Sequence, residues 1–169
     1  MRKLATAGSV LALLTDGLYL YVLHTQSATD NTLRAPFITA LIATAAVIAL
    51  LAQIARPRAL QQLLWAFAAA TLLIIGVLAL FSIGALLMIA GALVGTALVR
   101  PPLLPGPLRI AATVIGVIAA TVVSVVGLQM TSYMVSCAGI GDGSGTSTTF
   151  LGSSYSWTCS GGRLTVTAG

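Results

Sequence analysis

Acidic side chains are almost missing from this chain, which holds three aspartates, Asp16, Asp30 and Asp142, and no glutamate in 169 residues. A mechanism that pairs one carboxylic acid with one carboxylate base has next to nothing to use. Histidine is scarcer still, with His24 alone, which excludes a bis-histidine haem or a histidine-rich metal centre built by this chain by itself. Cysteine occurs twice, as Cys137 and Cys159, without a C-x-x-C spacing. There is no Walker motif, dinucleotide fingerprint, H-E-x-x-H or G-x-S-x-G. Catalysis by this chain alone is therefore not expected, nor is a cofactor or a metal.

Charge of either sign is also short, at 7% of residues, against about 25% in an ordinary soluble domain. Such a chain cannot cover itself with a water-compatible surface. What is there instead is apolar, 58% of the residues with a mean hydropathy of +1.05. This is the composition of an integral membrane protein. The formal charge of +5 does not point to nucleic acid, because the basic residues stand singly or in pairs beside apolar segments, with no stripe of interleaved aromatics.

Leu60 to Val99 runs forty residues without a charged side chain. A hydrocarbon core about 30 Å thick takes ~20 residues of helix at ~1.5 Å each, so this stretch crosses twice and must turn back inside itself. Phe81-Ser82-Ile83-Gly84 is the expected hinge, since Ser82 and Gly84 break the run there. Around this hairpin the spacing predicts spans over Leu4–Leu23, Phe37–Ala55, Leu60–Leu80, Gly84–Val99 and Leu108–Leu128. Residues 1–128 are then an all-α, five-helix transmembrane domain, and 129–169 form a tail rich in Gly, Ser and Thr.

The first segment invites a second reading as a secretory signal, with a small-residue cleavage site near Ser27-Ala28. Its apolar run is longer than the ~7–15 residues of a signal core, and Tyr19 and Tyr21 lie at its far end, where an interfacial aromatic belt belongs. An uncleaved span fits better. With the N-terminus inside, Arg2, Lys3, Arg56, Arg58, Arg100 and Arg109 fall on the inner side and only Arg34 and Arg163 outside, as the positive-inside bias requires. The same assignment puts both cysteines outside, on the oxidising face of a prokaryotic cytoplasmic membrane. The alanine-rich, lysine-poor composition suggests a high-GC prokaryote.

Three features stand out from this frame. Asp16 lies past the middle of the first segment, where a carboxylate costs about 2.5–3.5 kcal/mol on insertion scales. Ser9, Ala12, Asp16 and Tyr19 share one helical face, and this small, polar stripe should meet protein or a hydrated cavity. It is either a proton or cation path or a packing contact with a neighbouring helix, and His24 is rotated off that face. Small residues make the second feature: Gly91 and Gly95 as G-x-x-x-G, and Ala112, Gly116, Ala120 and Ser124 every fourth position, the pattern of close helix approach within the chain or to a partner.

The third is the tail. Cys137 and Cys159 are expected to form one structural disulfide. Tyr155, Trp157 and Cys159 alternate with polar residues, Gly161-Gly162 offers a tight turn, and Leu164 and Val166 alternate again, which predicts a β-hairpin. A strand is expected near 133–138 and a mobile loop over Gly139 to Thr149.

Taken together, the expected protein is a non-catalytic accessory or structural subunit of a larger membrane complex, partnered by lipid and by other subunits or copies of itself. The alternative is a small homo-oligomeric transporter or channel with Asp16 in its path.

Overall fold

The computed structural model describes residues 2–25, 34–79, 83–99, 105–132, 137 and 142–168. They form α1 (Arg2–Thr25), α2 (Arg34–Leu51), α3 (Arg58–Leu78), α4 (Gly84–Val99), α5 (Gly106–Ser132), β1 (Gly143–Thr148), β2 (Ser154–Ser160) and β3 (Arg163–Ala168). Three helices are long and apolar enough to cross a membrane, over Lys3–Val22, Arg58–Leu78 and Gly106–Thr131, with mean hydropathies of 1.3, 1.8 and 2.4. The apolar parts of α2 and α4, Phe37–Leu51 and Gly84–Thr96, are shorter.

The helix ends lie within three residues of the sequence expectation except at the C-termini of α2 and α5. α2 stops at Leu51, not Ala55, and tightens through Gln53 N–H to Leu50 O and Ile54 N–H to Leu51 O, both 3.1 Å. Pro57 disfavours helix just ahead of it, and the freed turn lets Thr6 Oγ1 of α1 donate to Gln53 Oε1 at 3.3 Å. α5 continues one turn past Leu128 to Ser132. Composition changes at Gln129, but no proline or glycine follows until Gly139, and polar residues alone do not end a helix.

Neighbouring contacts set the direction of each helix. Gly76 of α3 lies against Met88 and Gly84 of α4, whereas Leu72 and Leu73 lie against Gly91 and Ala69 against Gly95, so α3 and α4 are antiparallel. Gln62 Nε2 of α3 donates to Thr113 Oγ1 of α5 at 3.2 Å. One turn further along both helices, a Cβ on Gly116 would stand 2.8 Å from Ala66 Cβ, so α3 and α5 are parallel. Phe37 near the start of α2 meets Gly127 near the end of α5, and Thr6 near the start of α1 meets Gln53 just past the end of α2. Helices α1, α3 and α5 therefore run one way and α2 and α4 the other. Lys3, Arg56, Arg58 and Arg109 gather at one end of the bundle, and the chain leaves α5 for the sheet at the other.

The interior is built largely from alanine. Ala12, Ala45, Ala46, Ala49, Ala68 and Ala90 are fully buried beside Ile42, Leu72, Leu87 and Val94. Short side chains let helix axes come close, so that backbone and Cβ atoms make the dispersion contacts that larger side chains make elsewhere. α3 sits centrally, against α2, α4 and α5, and α1 covers α2 and α4.

The three strands form an antiparallel sheet in the order β1-β2-β3. β2 and β3 are the hairpin expected from the sequence, with Ser160 paired to Arg163 across Gly161 (φ 54°) and Gly162 (φ 76°). Both glycines have the positive φ of a two-residue turn that matches strand twist. β1 corrects the expectation of a mobile loop, since Gly143–Thr148 pairs along its whole length with β2. Gly145 lies under the indole of Trp157, where a Cβ would come within 2.7 Å of the ring, and Trp157 Nε1 donates to Ser147 Oγ at 3.2 Å. Cys137 and Cys159 are bonded, with Cα atoms 5.8 Å apart. The strand expected over 133–138 lies, Cys137 apart, outside the described residues.

Candidate functional site

The polar stripe of α1 comes first because its carboxyl group is buried. Ser9 and Ala12 are fully buried, Asp16 is 6% exposed and Tyr19 is half-buried. The hydroxyls beside Asp16 turn back onto their own helix: Ser9 Oγ donates to Ala5 O at 3.0 Å and Thr15 Oγ1 to Leu11 O at 2.8 Å. This habit of Ser and Thr inside helices satisfies the hydroxyl without reaching another helix. Asp16 Oδ1 is buried and meets no hydrogen-bond donor among the described residues. A buried ionised carboxylate without a partner is costly by several kcal/mol, so Asp16 calls for a partner that the described residues do not supply at Oδ1. The side chain of His24 lies outside the described residues.

The glycines of the small-residue stripes turn towards α3. Gly91 is buried against Leu72 and Leu73, and Gly95 faces Ala69 Cβ at 4.0 Å. On α5, Gly116 lies against Ala66 and Leu63 O, Ala120 and Ser124 are fully buried, and Ala112 is half-buried. The three glycines bring α4 and α5 onto α3 within one chain. They do not form a face turned outward.

Several polar contacts escaped the sequence reading. Gln62, 2% exposed, joins α3 to α5 through Thr113, and Gln53 joins the end of α2 to α1. Trp65 Nε1, Ser124 Oγ and Gln53 Nε2 are buried without a partner among the described residues. The available signal was a glutamine or tryptophan inside an apolar run, which marks a polar group needing a partner but not which helix provides it.

At the sheet end, Ile38 and Leu41 of α2, Ile75 and Leu78 of α3, and Leu128 of α5 line an apolar cavity of about 240 Å³ with Phe150 of the β1–β2 turn at its rim. Leu151 N–H next to it donates to Gln129 Oε1 of α5 at 3.2 Å. The turn is thus seated on the helices through Phe150 and through the Leu151–Gln129 bond.

Among the described residues no three histidine, cysteine, aspartate or glutamate side chains gather in one place. Comparison of the chain with protein-family models, with curated proteins and with solved structures finds no match. What the site can do rests on its own geometry.

Proposed function

We propose that the chain is a five-span membrane protein of a prokaryotic cytoplasmic membrane. Its N-terminus is inside and its disulfide-bonded sheet outside, and it serves without catalysis of its own as an accessory or structural subunit of a larger complex. The observation that carries this reading is the asymmetry of the bundle's ends. Alternating helix directions collect Lys3, Arg56, Arg58 and Arg109 at one end, as the positive-inside bias asks of a cytoplasmic face. The disulfide stands at the other, where an oxidising compartment would maintain it. At 16 residues, or about 24 Å of helix, α4 is short for a span, and tilt of its neighbours or local thinning of the bilayer accommodates it.

The outer faces leave room for partner helices. α5 buries 22% of its apolar window within the chain and turns Ile110, Ile115, Ile118, Val122 and Val126 outward. α1 does the same with Leu14 and Leu18. These faces suit lipid or a partner helix equally, and the decisive measurement is native mass and subunit content after extraction in mild detergent. Co-purification with other chains at a fixed ratio is the expected result. A protein that runs alone as a small oligomer would overturn the accessory role, and a reporter fused after Gly169 that proved cytoplasmic would overturn the topology.

The unpartnered Oδ1 of Asp16 favours one second reading, a homo-oligomeric transporter or channel with Asp16 in the path. Asp16→Asn separates the two, because it keeps the shape and removes the charge. In an accessory subunit it yields assembled complex at the level of the original protein. In a transporter it yields the same amount of assembled oligomer but no ion flux in vesicles.

A further inference from the structure

The basic end of the bundle holds a crevice of about 430 Å³ between α3, α4 and α5, bordered by Gln62, Leu98, Arg109, Ile110, Thr113 and Val114. Arg109 crosses it, one Nη2–H donating to Leu98 O at 2.6 Å in the last turn of α4. A guanidinium has five N–H donors in a planar fork, and the others find no acceptor among the described residues. Gln62 and Thr113 are bonded to each other across the parallel pair α3 and α5. Arg58 and Arg109 each stand four residues before that pair, about one turn, so the two arginines share one level. Neither helix carries an acidic residue in its first turn. The described acidic residues are elsewhere: Asp16 is in the other half of α1, and Asp142 accepts from Gly161 N–H in the sheet at 2.8 Å.

Two arginines at one level, without a counter-charge among the described residues, call for an anion from outside the chain. Directly along the helix from them the wall turns apolar and outward, with Ile110 65% and Val114 48% exposed. A small free anion would leave that wall uncovered, whereas an amphiphile covers both parts. We infer that this crevice binds an anionic phospholipid of the cytoplasmic leaflet, its phosphate on Arg109 and Arg58 and one acyl chain along Leu98, Ile110 and Val114. Guanidinium and phosphate match through paired N–H···O bonds, and basic pockets between membrane helices on the cytoplasmic side are a known form of headgroup recognition. The inference rests on the membrane reading above.

The test uses the full chain in neutral detergent, with native mass spectrometry counting retained lipid. Phosphatidylglycerol and phosphatidylcholine of identical acyl chains are the probes. Phosphatidylglycerol is expected to be retained on the order of 25-fold better, about fivefold for each arginine at an anionic headgroup. Arg109→Gln and Arg58→Gln should each remove about fivefold, Arg109→Lys should keep most of the preference, and Arg163→Gln in the sheet should change nothing. Val114→Trp keeps both charges but fills the crevice, so it should lose bound lipid, which guards against Arg109→Gln failing to fold. Equal retention of the two lipids, indifference to both arginine variants, or full displacement of phosphatidylglycerol by millimolar inorganic phosphate would each overturn the inference. Flotation with purely neutral vesicles keeps the two claims apart. A protein that does not float fails the membrane reading itself, and one that floats but does not discriminate fails only the lipid site.

Discussion

Gly84→Ala is expected to cost most of the assembled protein, although it adds only one methyl group, at the first residue of α4. At Gly84 the new Cβ would collide with Gly76 O and the Ala79 carbonyl group, which are backbone atoms and cannot rotate away. Gly84 N–H also donates to Ala79 O at 2.9 Å, so α4 starts only a hydrogen bond away from where α3 ends. Overpacking of this kind typically destabilises by about 1–3 kcal/mol, which is roughly a fivefold to 150-fold change in an equilibrium. Gly95→Ala supplies the control on the same helix. Its Cβ would meet only Ala69 Cβ at 4.0 Å, an ordinary contact. Helix propensity favours alanine over glycine by about 1 kcal/mol in a helix interior, which applies at Gly95 but not at Gly84, the first residue of α4, so the tertiary contact predicts a loss at Gly84 and no loss at Gly95. Monodisperse yield on gel filtration in mild detergent decides it. Equal yields for the two variants would mean that the α3–α4 turn is not closed as described.

The second large effect concerns the disulfide. The sheet is small and its interior is slight, with only Tyr155 at 2% and Cys159 at 1% exposure counted as buried hydrophobics of the strands. Units of this size ordinarily need a staple. Cys137 and Cys159 are 22 residues apart, and closing such a loop contributes on the order of 3 kcal/mol in the chain-entropy account. Replacing both by serine is expected to speed amide exchange in β2, at Trp157 for example, by about a hundredfold. The amides of α3 should exchange as before, because the bundle's contacts do not pass through the sheet. Unchanged protection of β2 after the double replacement would show that the seating of Phe150 and Leu151 on the helices holds the sheet without the covalent link.

The limits of sequence reading show at particular residues. The β2–β3 hairpin was legible because alternation in β2 and β3 flanks a pair of glycines, and such a pair takes two successive positive φ values without steric cost. β1 was not, because Gly143–Thr148 reads Gly-Ser-Gly-Thr-Ser-Thr, without an apolar alternation to mark it. Its pairing comes from its partner strand, with the indole of Trp157 lying over Gly145. The face shared by Ser9, Ala12 and Asp16 follows from the period of a helix. What Asp16 meets on that face does not, because no local pattern encodes which helix arrives opposite.

By itself, then, the sequence determined where the apolar helices lie, that the α3–α4 run must reverse near Gly84, which face of α1 carries its polar groups, and that two cysteines stand close enough in a loop-rich tail to be joined. These are properties of composition and short-range period. Only the tertiary structure decided that Gly91 and Gly95 of α4 and Gly116 of α5 turn to α3, that Gln62 finds Thr113, that β1 completes the sheet, and that Arg58 and Arg109 stand at one level beside an apolar crevice. Each of these depends on the relative rotation and register of two elements far apart in the chain, and those are set by packing of whole helices against one another.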